Sequence, residues 1–189
     1  METPRILFWY RKDLRINDNK ALTKALSISN AITSIYIFDE IYKHDFGAES
    51  RAWFLGESLR ELILNWDRAG SRLIIQKGSP KILIPLVAKQ IQAKYIFWNK
   101  AIEPYEIERD LRIKEDLINS GISVVDEWDH LLIDPLDIST GNNKPYTVYG
   151  PFFKKFKAKI DKLNFNQKPN KEFNLMKLKD LKEEFLENK

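Results

Sequence analysis

What the 189-residue sequence lacks narrows its chemistry. It has no cysteine, which excludes disulfides, thiolate metal sites and thiol nucleophiles. Two histidines, His44 and His130, are too few for a His-rich zinc centre. No apolar run approaches the ~20 residues of a membrane span. Arg5 and Arg11 bracket only five apolar residues at the N-terminus, short of a signal peptide. The expectation is a soluble, intracellular, cytoplasmic protein with no membrane and no metal among its partners. Neither GxGxxG nor GxxxxGK[ST] occurs, so the dinucleotide and Walker phosphate loops are absent. No Ser-His-Asp set is suggested, and 27 acids in 189 residues pair by chance too readily to argue for a glycosidase-like carboxylate pair.

What is present is an alternation. Strand-like apolar runs recur at Arg5–Tyr10, Thr33–Phe38, Arg72–Gln76, Tyr95–Trp98 and Ile122–Val125. Helical spacing fills the gaps: Ala21, Leu22, Ala25 and Ile28; Trp53, Phe54, Leu55, Leu59, Leu62, Ile63 and Trp66; Ile82, Ile84, Leu86, Val87 and Ile91; Ile107, Leu111, Ile113, Leu117 and Ile118. Continuous apolar runs are what strands buried on both faces require. Their alternation with helices predicts an α/β fold, a five-stranded parallel sheet of Rossmann-like form with helices on both faces and a C-terminal extension. Ser79-Pro80 supplies an N-cap serine and a proline at the first helical position. Gly70 and Gly121 each follow a helical pattern, where a left-handed residue is wanted.

The pattern changes after about Asp134, which divides the chain into an α/β domain at 1–134 and a connector or tail at 135–189. The segment Asn164–Asn174 reads as a linker, and Phe173, Met176, Leu181 and Phe185 form a weak stripe for a final helix. From Pro151 onward eleven lysines face six acids, whereas the first 150 residues sum to −1. This balance argues against a basic DNA-binding face on the main domain, and the excess reads first as a solvated helix or linker.

The densest chemistry comes directly after the first strand, at Arg11-Lys12-Asp13-Leu14-Arg15 and Asp18-Asn19. Open α/β sheets place ligands at the C-terminal ends of their strands, so these charges stand where function is expected, although a solvated loop with a local ion pair gives the same pattern. A second group, Trp98 to Glu106, lies just past the fourth strand. Its Glu103 and Glu106 stand at a helix entry, where the dipole favours anions. Arg51 opens the long second helix and carries a guanidinium able to stack on a planar ring. The five tryptophans sit on strands and helix faces and read as core.

These residues resemble the N-terminal signature of the DNA photolyase and cryptochrome family, in Trp9, Arg11, Asp13, Arg15, Asp18 and Asn19. The same family is similar in order at Arg51 with Phe54-Leu55, Gly70 to Leu73, Gly78 with Pro80, Trp98 to Tyr105, Arg109-Asp110, and Pro145 to Phe152. The resemblance covers roughly residues 4–156 and is greatest to cyanobacterial cyclobutane pyrimidine dimer photolyases with a deazaflavin antenna. It implies that the chain is the antenna-chromophore domain of a light-driven photolyase. FAD, the DNA lesion and the electron-transfer tryptophans would then belong to a helical FAD domain absent from this sequence, and no catalytic residue falls within it. The resemblance places Ile37, Phe38, Asp39, Arg51, Leu55, Ala101, Glu103 and Glu106 around the antenna. Deazaflavin-binding members have an aspartate where this chain has Ala101. Folate-binding members have an Asn-Glu pair where it has Tyr105-Glu106. The antenna is thus expected to be deazaflavin, with folate or FMN as alternatives. A cryptochrome-type photoreceptor module or a stand-alone chromophore-binding domain is the rival function.

Overall fold

The computed structural model describes residues 3–39, 49–163 and Leu175. Its strands are β1 (Ile6–Tyr10), β2 (Ile32–Phe38), β3 (Leu73–Lys77), β4 (Tyr95–Asn99) and β5 (Ser123–Glu127). All pair in parallel, in the order β3-β2-β1-β4-β5. Four helices alternate with them: α1 (Lys20–Ile28), α2 (Glu49–Arg68), α3 (Pro80–Gln90) and α4 (Pro104–Asn119). The α/β sheet expected from the apolar runs is the one observed.

Each β1 residue is buried, and the period-2 pleat sends them to opposite sides. Ile6, Phe8 and Tyr10 pack with α1 and α2 through Leu22, Ala25, Leu59, Leu62 and Trp66. Leu7 and Trp9 pack with α3 and α4 through Ile84, Val87, Ile113 and Leu117. β1 therefore has no solvent face, which is why its sequence does not alternate with polar residues. It lies between β2 and β4, where the chain's direction of progress across the sheet reverses. Such a switch point opens a crevice at the C-terminal strand ends.

The local punctuation holds with one amendment. Pro80 opens α3 behind an extended Ser79, but the serine side chain makes no capping hydrogen bond. Gly70 and Gly121 have φ of +91° and +79°, as left-handed caps require. Gly70 carries a second constraint: a Cβ there would meet the Leu175 carbonyl oxygen at 3.0 Å, and the Leu175 N–H donates to the Ala69 carbonyl at 2.7 Å. Gly70→Ala is expected to cost more than about 1 kcal/mol, read as a lower urea midpoint with unchanged slope.

The helix faces depart further from expectation. In α4 the buried positions are Glu106, Arg109, Asp110, Ile113 and Leu117, while Ile107, Leu111 and Ile118 are exposed. The helix is rotated from its apolar stripe because Arg109 and Asp110 find buried ionic partners. Trp53 and Phe54, expected in the core, are each 68% exposed at the start of α2. Ile82 and Leu86 likewise face out from α3. Trp9, Trp66 and Trp98 are buried as expected.

Beyond β5 come a 3-10 turn (Pro135–Ile138) and α5 (Tyr149–Ile160), a helix with no buried residue. The stripe Phe173, Met176, Leu181 and Phe185 and the segment 164–174 lie outside the described residues. Among the described residues, no helix is long and apolar enough to cross a membrane, and no group of three potential ligands could hold a metal ion.

Candidate functional site at the strand ends

Two side-chain networks organise the C-terminal ends of β1, β2 and β4. The first is centred on Asp13, which is 1% exposed. Its carboxylate accepts from the Arg11 backbone N–H at 3.0 Å and from the side-chain amides of Asn19 at 3.0 Å and Asn99 at 2.6 Å. Asn19 caps α1 by accepting from the Leu22 N–H at 3.1 Å, and Asn99 accepts from the Ala21 N–H at 3.1 Å. The two amides also meet, Asn99 donating to Asn19 at 2.9 Å. One carboxylate and two carboxamides thus join the ends of β1 and β4 to the N-terminus of α1 with complementary donors and acceptors. Buried polar groups so satisfied specify one arrangement of the chain. Asp18, just before the cap, adopts φ +51°, a left-handed conformation that Asp tolerates better than most residues.

Asp13 therefore takes a backbone N–H and two amides as partners, in place of the local ion pair that the β1 loop charges could have formed. The guanidiniums go elsewhere: Arg11 pairs with Asp110, and Arg15 pairs with Asp129. Asp129 also accepts from the Lys20 N–H at 3.0 Å, a second carboxylate at the N-terminus of α1 where the dipole favours it.

The second network forms one floor of a cleft. Arg109, 3% exposed, donates to Asp110 through Nε at 3.0 Å and Nη2 at 2.8 Å, and to Asp39 through Nη1 at 3.2 Å. Its guanidinium carbon lies 4.9 Å from the centre of the Trp9 ring, and that of Arg11 lies 5.1 Å from it. Trp9 itself meets Trp98 edge-on at 5.6 Å. Asp110 thus holds two guanidiniums against one indole, joining cation–π attraction to ion pairing.

The cleft has a volume of about 320 Å³. Its apolar walls are Trp9, Leu14, Tyr36, Ile37, Phe54, Leu55 and Pro80; its polar groups are Arg11, Lys12, Asp39, Ser58, Glu106 and Arg109. A mostly apolar cleft with a few fixed polar groups is the usual form of a small-molecule site. Burial pushes the Tyr36 phenol up to about 12, so this wall stays neutral at physiological pH. At the rim Lys12 pairs with both Glu103 and Glu106. A hydrogen bond with the Glu106 carboxyl, then the Lys12 ammonium, hold the Glu103 carboxyl down to about 2. Burial works against the charge on Lys12, but its bonds to Glu103 and Glu106 outweigh this and raise it. A folded-state value below the usual carboxylate range means the rim's contribution to stability is present above that range and fades as pH falls toward 2. Because Glu103 and Lys12 are about half exposed, the contribution is small in salt. NMR titration of Glu103 is expected to show an upward move in Lys12→Met, which removes the cation paired with it.

Of the residues singled out from sequence, Trp9, Arg11, Ile37, Asp39, Leu55 and Glu106 line this cleft. Phe38 is half-buried, its ring edge-on to Tyr36 at 5.0 Å. Arg51 is exposed on the first turn of α2, outside the cleft lining. Glu103 stands at the rim as the N-cap of α4. Ala101 lines a separate hollow with Trp98, Lys100 and Trp128. Arg109 and Asp110 are legible in the sequence as family wording, but their role is not. The signal is their spacing: with Glu106, Ile113 and Leu117 they occupy positions i, i+3, i+4, i+7 and i+11 of one helical face, so charge stands where the core should be.

The cleft suits a flat heteroaromatic guest: aromatic and aliphatic walls to cover its faces, and buried charged groups to meet polar atoms at its edge. Comparisons with known proteins show what the chain as a whole is similar to. The sequence model of the family described as DNA photolyase matches residues 6–184. The chain is 41% identical over 154 residues to a deoxyribodipyrimidine photo-lyase of Synechococcus, covering 81% of this chain and 32% of that protein. A bacterial class III photolyase from Agrobacterium tumefaciens superposes with a TM-score of 0.78 at 26% identity, covering 95% of this chain and 36% of that one. A cryptochrome from Synechocystis superposes with a TM-score of 0.77, also at 26% identity, covering 96% and 40%. The chain spans about a third of the length of these relatives. With a family match over nearly its whole length and the strand order and switch-point cleft described above, the chain belongs to the DNA photolyase family.

Proposed function

We propose that this chain is the light-harvesting domain of a deoxyribodipyrimidine photolyase, a protein that uses blue light to repair pyrimidine dimers in DNA. The observation that carries the reading is the cleft at the ends of β1 and β2, where Trp9, Tyr36, Phe54 and Leu55 form walls for a planar ring and Arg109 is fixed at its floor. The proposed guest is a deazaflavin, with folate and FMN as the competing chromophores. When bound, such a group absorbs blue light and passes the excitation to FAD.

The chain's own residues do the holding. Ile37 and Leu55 cover the guest's faces. Asp39 and Arg109, joined at 3.2 Å, offer an acceptor and donors at its edge. Lys12 with Glu106 closes the rim. No bond is made or broken within this chain in this reading. FAD and DNA are bound by a helical domain, toward which residues 135–189 form the connector, and the whole works in the cytoplasm. The photoreceptor alternative shares the cleft and differs only in the fate of the absorbed energy, which goes to signalling instead of repair.

The test is an absorption spectrum after mixing the purified chain separately with 8-hydroxy-deazaflavin, a reduced folate and FMN, then removing free ligand by gel filtration. The expected outcome is a visible or near-ultraviolet band that co-elutes with the protein, strongest for the deazaflavin. Co-elution of folate or FMN alone replaces the deazaflavin assignment. A chain that retains none of the three contradicts the antenna reading.

A further inference from the structure

Among the described residues, the charged and hydroxyl-bearing side chains that line the cleft are paired, with one exception. Arg11, Lys12, Asp39, Glu106 and Arg109 are held in ion pairs, and Ser58 donates to the Phe54 carbonyl. The exception is Tyr36, whose hydroxyl has no hydrogen-bond partner among the described residues. The residue is only 8% exposed, so water does little to satisfy it. The buried side-chain atoms left without a partner are Thr33 Oγ1 and Trp128 Nε1. The Tyr36 oxygen is not among them, so it keeps a path to open space, and the space that Tyr36 lines is the cleft. Tyr10, its register partner on β1, shows the contrast. The Tyr10 hydroxyl accepts from the Trp66 indole N–H at 3.2 Å and donates to the Arg15 carbonyl at 3.4 Å.

The Tyr36 ring is fixed where it stands. Its strand is paired on both sides, with Tyr36 in register with Tyr10 on β1 and Ile75 on β3. The residue belongs to the core cluster of Leu59, Leu62 and Leu73, and its ring meets Phe38 edge-on at 5.0 Å. A donor already held by the core loses little freedom when a ligand arrives. Burial also keeps the phenol protonated at physiological pH, so its O–H is always there to give. A buried hydroxyl without a protein partner costs the fold the desolvation of that group, a cost that a bound acceptor offsets.

We infer that Tyr36 is a specificity-determining residue of the cleft, its phenol donating a hydrogen bond to a carbonyl oxygen or ring nitrogen at the edge of the guest. This rests on the reading that the cleft holds a planar chromophore. The ion-paired groups reach a guest only by sharing a partner, whereas Tyr36 has its whole donor to give. The guest class so selected is a heteroaromatic ring with a neutral acceptor on its edge. A hydrocarbon ring of the same size leaves the hydroxyl unsatisfied and is disfavoured.

The test compares two substitutions that each remove one hydroxyl, Tyr36→Phe and Tyr10→Phe, with the parent. Each protein is titrated with 8-hydroxy-deazaflavin, followed by its absorption band, and is melted without ligand. Tyr36→Phe is expected to bind about tenfold more weakly, with the band of the bound guest displaced from its position in the parent. It is expected to melt no lower than the parent, because no bond within the protein is lost. Tyr10→Phe is expected to do the reverse, melting lower and binding as the parent does. A parent that binds nothing contradicts the chromophore reading and this inference together. Saturable binding to the parent, with equal affinity and an unmoved band in Tyr36→Phe, overturns the inference alone and leaves the chromophore reading standing. Equal weakening by Tyr10→Phe, or a Tyr36→Phe protein that melts well below the parent, makes the hydroxyl's role structural and overturns the inference as well.

Discussion

Asp13→Ala is expected to lower the stability of the fold by about 3–4 kcal/mol, because it removes one acceptor that three buried donors share. The Arg11 N–H and the amides of Asn19 and Asn99 converge on this carboxylate. Asn19 keeps the Arg15 carbonyl at 3.2 Å and Asn99 keeps Asn19 at 2.9 Å, but all three donors lose the carboxylate, and a buried donor left unsatisfied costs about 1–3 kcal/mol. The damage does not stay at one residue. Asn19 caps α1 and Asn99 ends β4, so the loss loosens the helix start and the switch point together. Asp13→Asn separates charge from geometry. The aspartate has acceptors on both sides, Oδ1 toward the Arg11 N–H and Oδ2 toward both amides. An asparagine in either orientation turns an NH2 group toward one of those donors. About 2 kcal/mol is therefore expected to be lost in Asp13→Asn despite its equal size. Chemical denaturation of the three proteins in parallel checks the order. An Asp13→Ala protein as stable as the parent contradicts the bracing role.

Arg109→Leu is expected to be comparably severe, at about 3–5 kcal/mol. Taking away one member of a buried ionic cluster leaves the carboxylates it paired with less compensated in a site of low polarity. Asp39 loses the pairing at 3.2 Å that joins it to α4, and Asp110 loses two of its donors, keeping Arg11. Because Arg109 also lies over Trp9, the floor of the cleft changes shape with it. Arg109→Lys keeps the charge but not the fork that reaches Asp39 and Asp110 together, and an intermediate loss is expected. A double-mutant cycle of Arg109→Leu with Asp110→Asn is expected to show strong coupling, since the two are in contact. Additive losses would show that the two residues act separately.

The parts of this fold that are legible in the sequence are those set by continuous patterns. β1 is Ile6 to Tyr10 because five apolar residues in a row suit a strand covered on both faces. α4 is Pro104 to Asn119 because a proline opens it and Gly121 lies just past its end with positive φ. The rotation of α4 is hidden, because Ile107, Leu111 and Ile118 make a plausible apolar stripe. The stripe that is buried includes Glu106, Arg109 and Asp110, and their partners Lys12, Arg11 and Asp39 are distant in the chain. Partner choice at Asp13 is hidden for the same reason. Two arginines lie within two residues of it, but the nearest side-chain donors in space are Asn19 and Asn99, brought there by the meeting of β1, β4 and α1. The site divides along the same line. Ile37, Asp39 and Leu55 reach the cleft because strand and helix periodicity place them there. Arg51, one turn before Leu55, is exposed, and Ala101 turns toward Trp128 on the other side of β4.

The central claim is that the cleft between the β1 loop, α2 and α4 holds a chromophore, and Ser58 offers the most direct test. Its side chain lines the cleft from α2 and bonds to the Phe54 carbonyl within the helix, at 2.8 Å. Ser58→Trp fills the cleft without entering the core. Titration of parent and variant with the deazaflavin, monitored by its absorption band, is expected to give saturable binding to the parent and none to Ser58→Trp, with the two proteins melting at similar temperatures. Equal binding by both proteins would place the chromophore elsewhere and contradict the account.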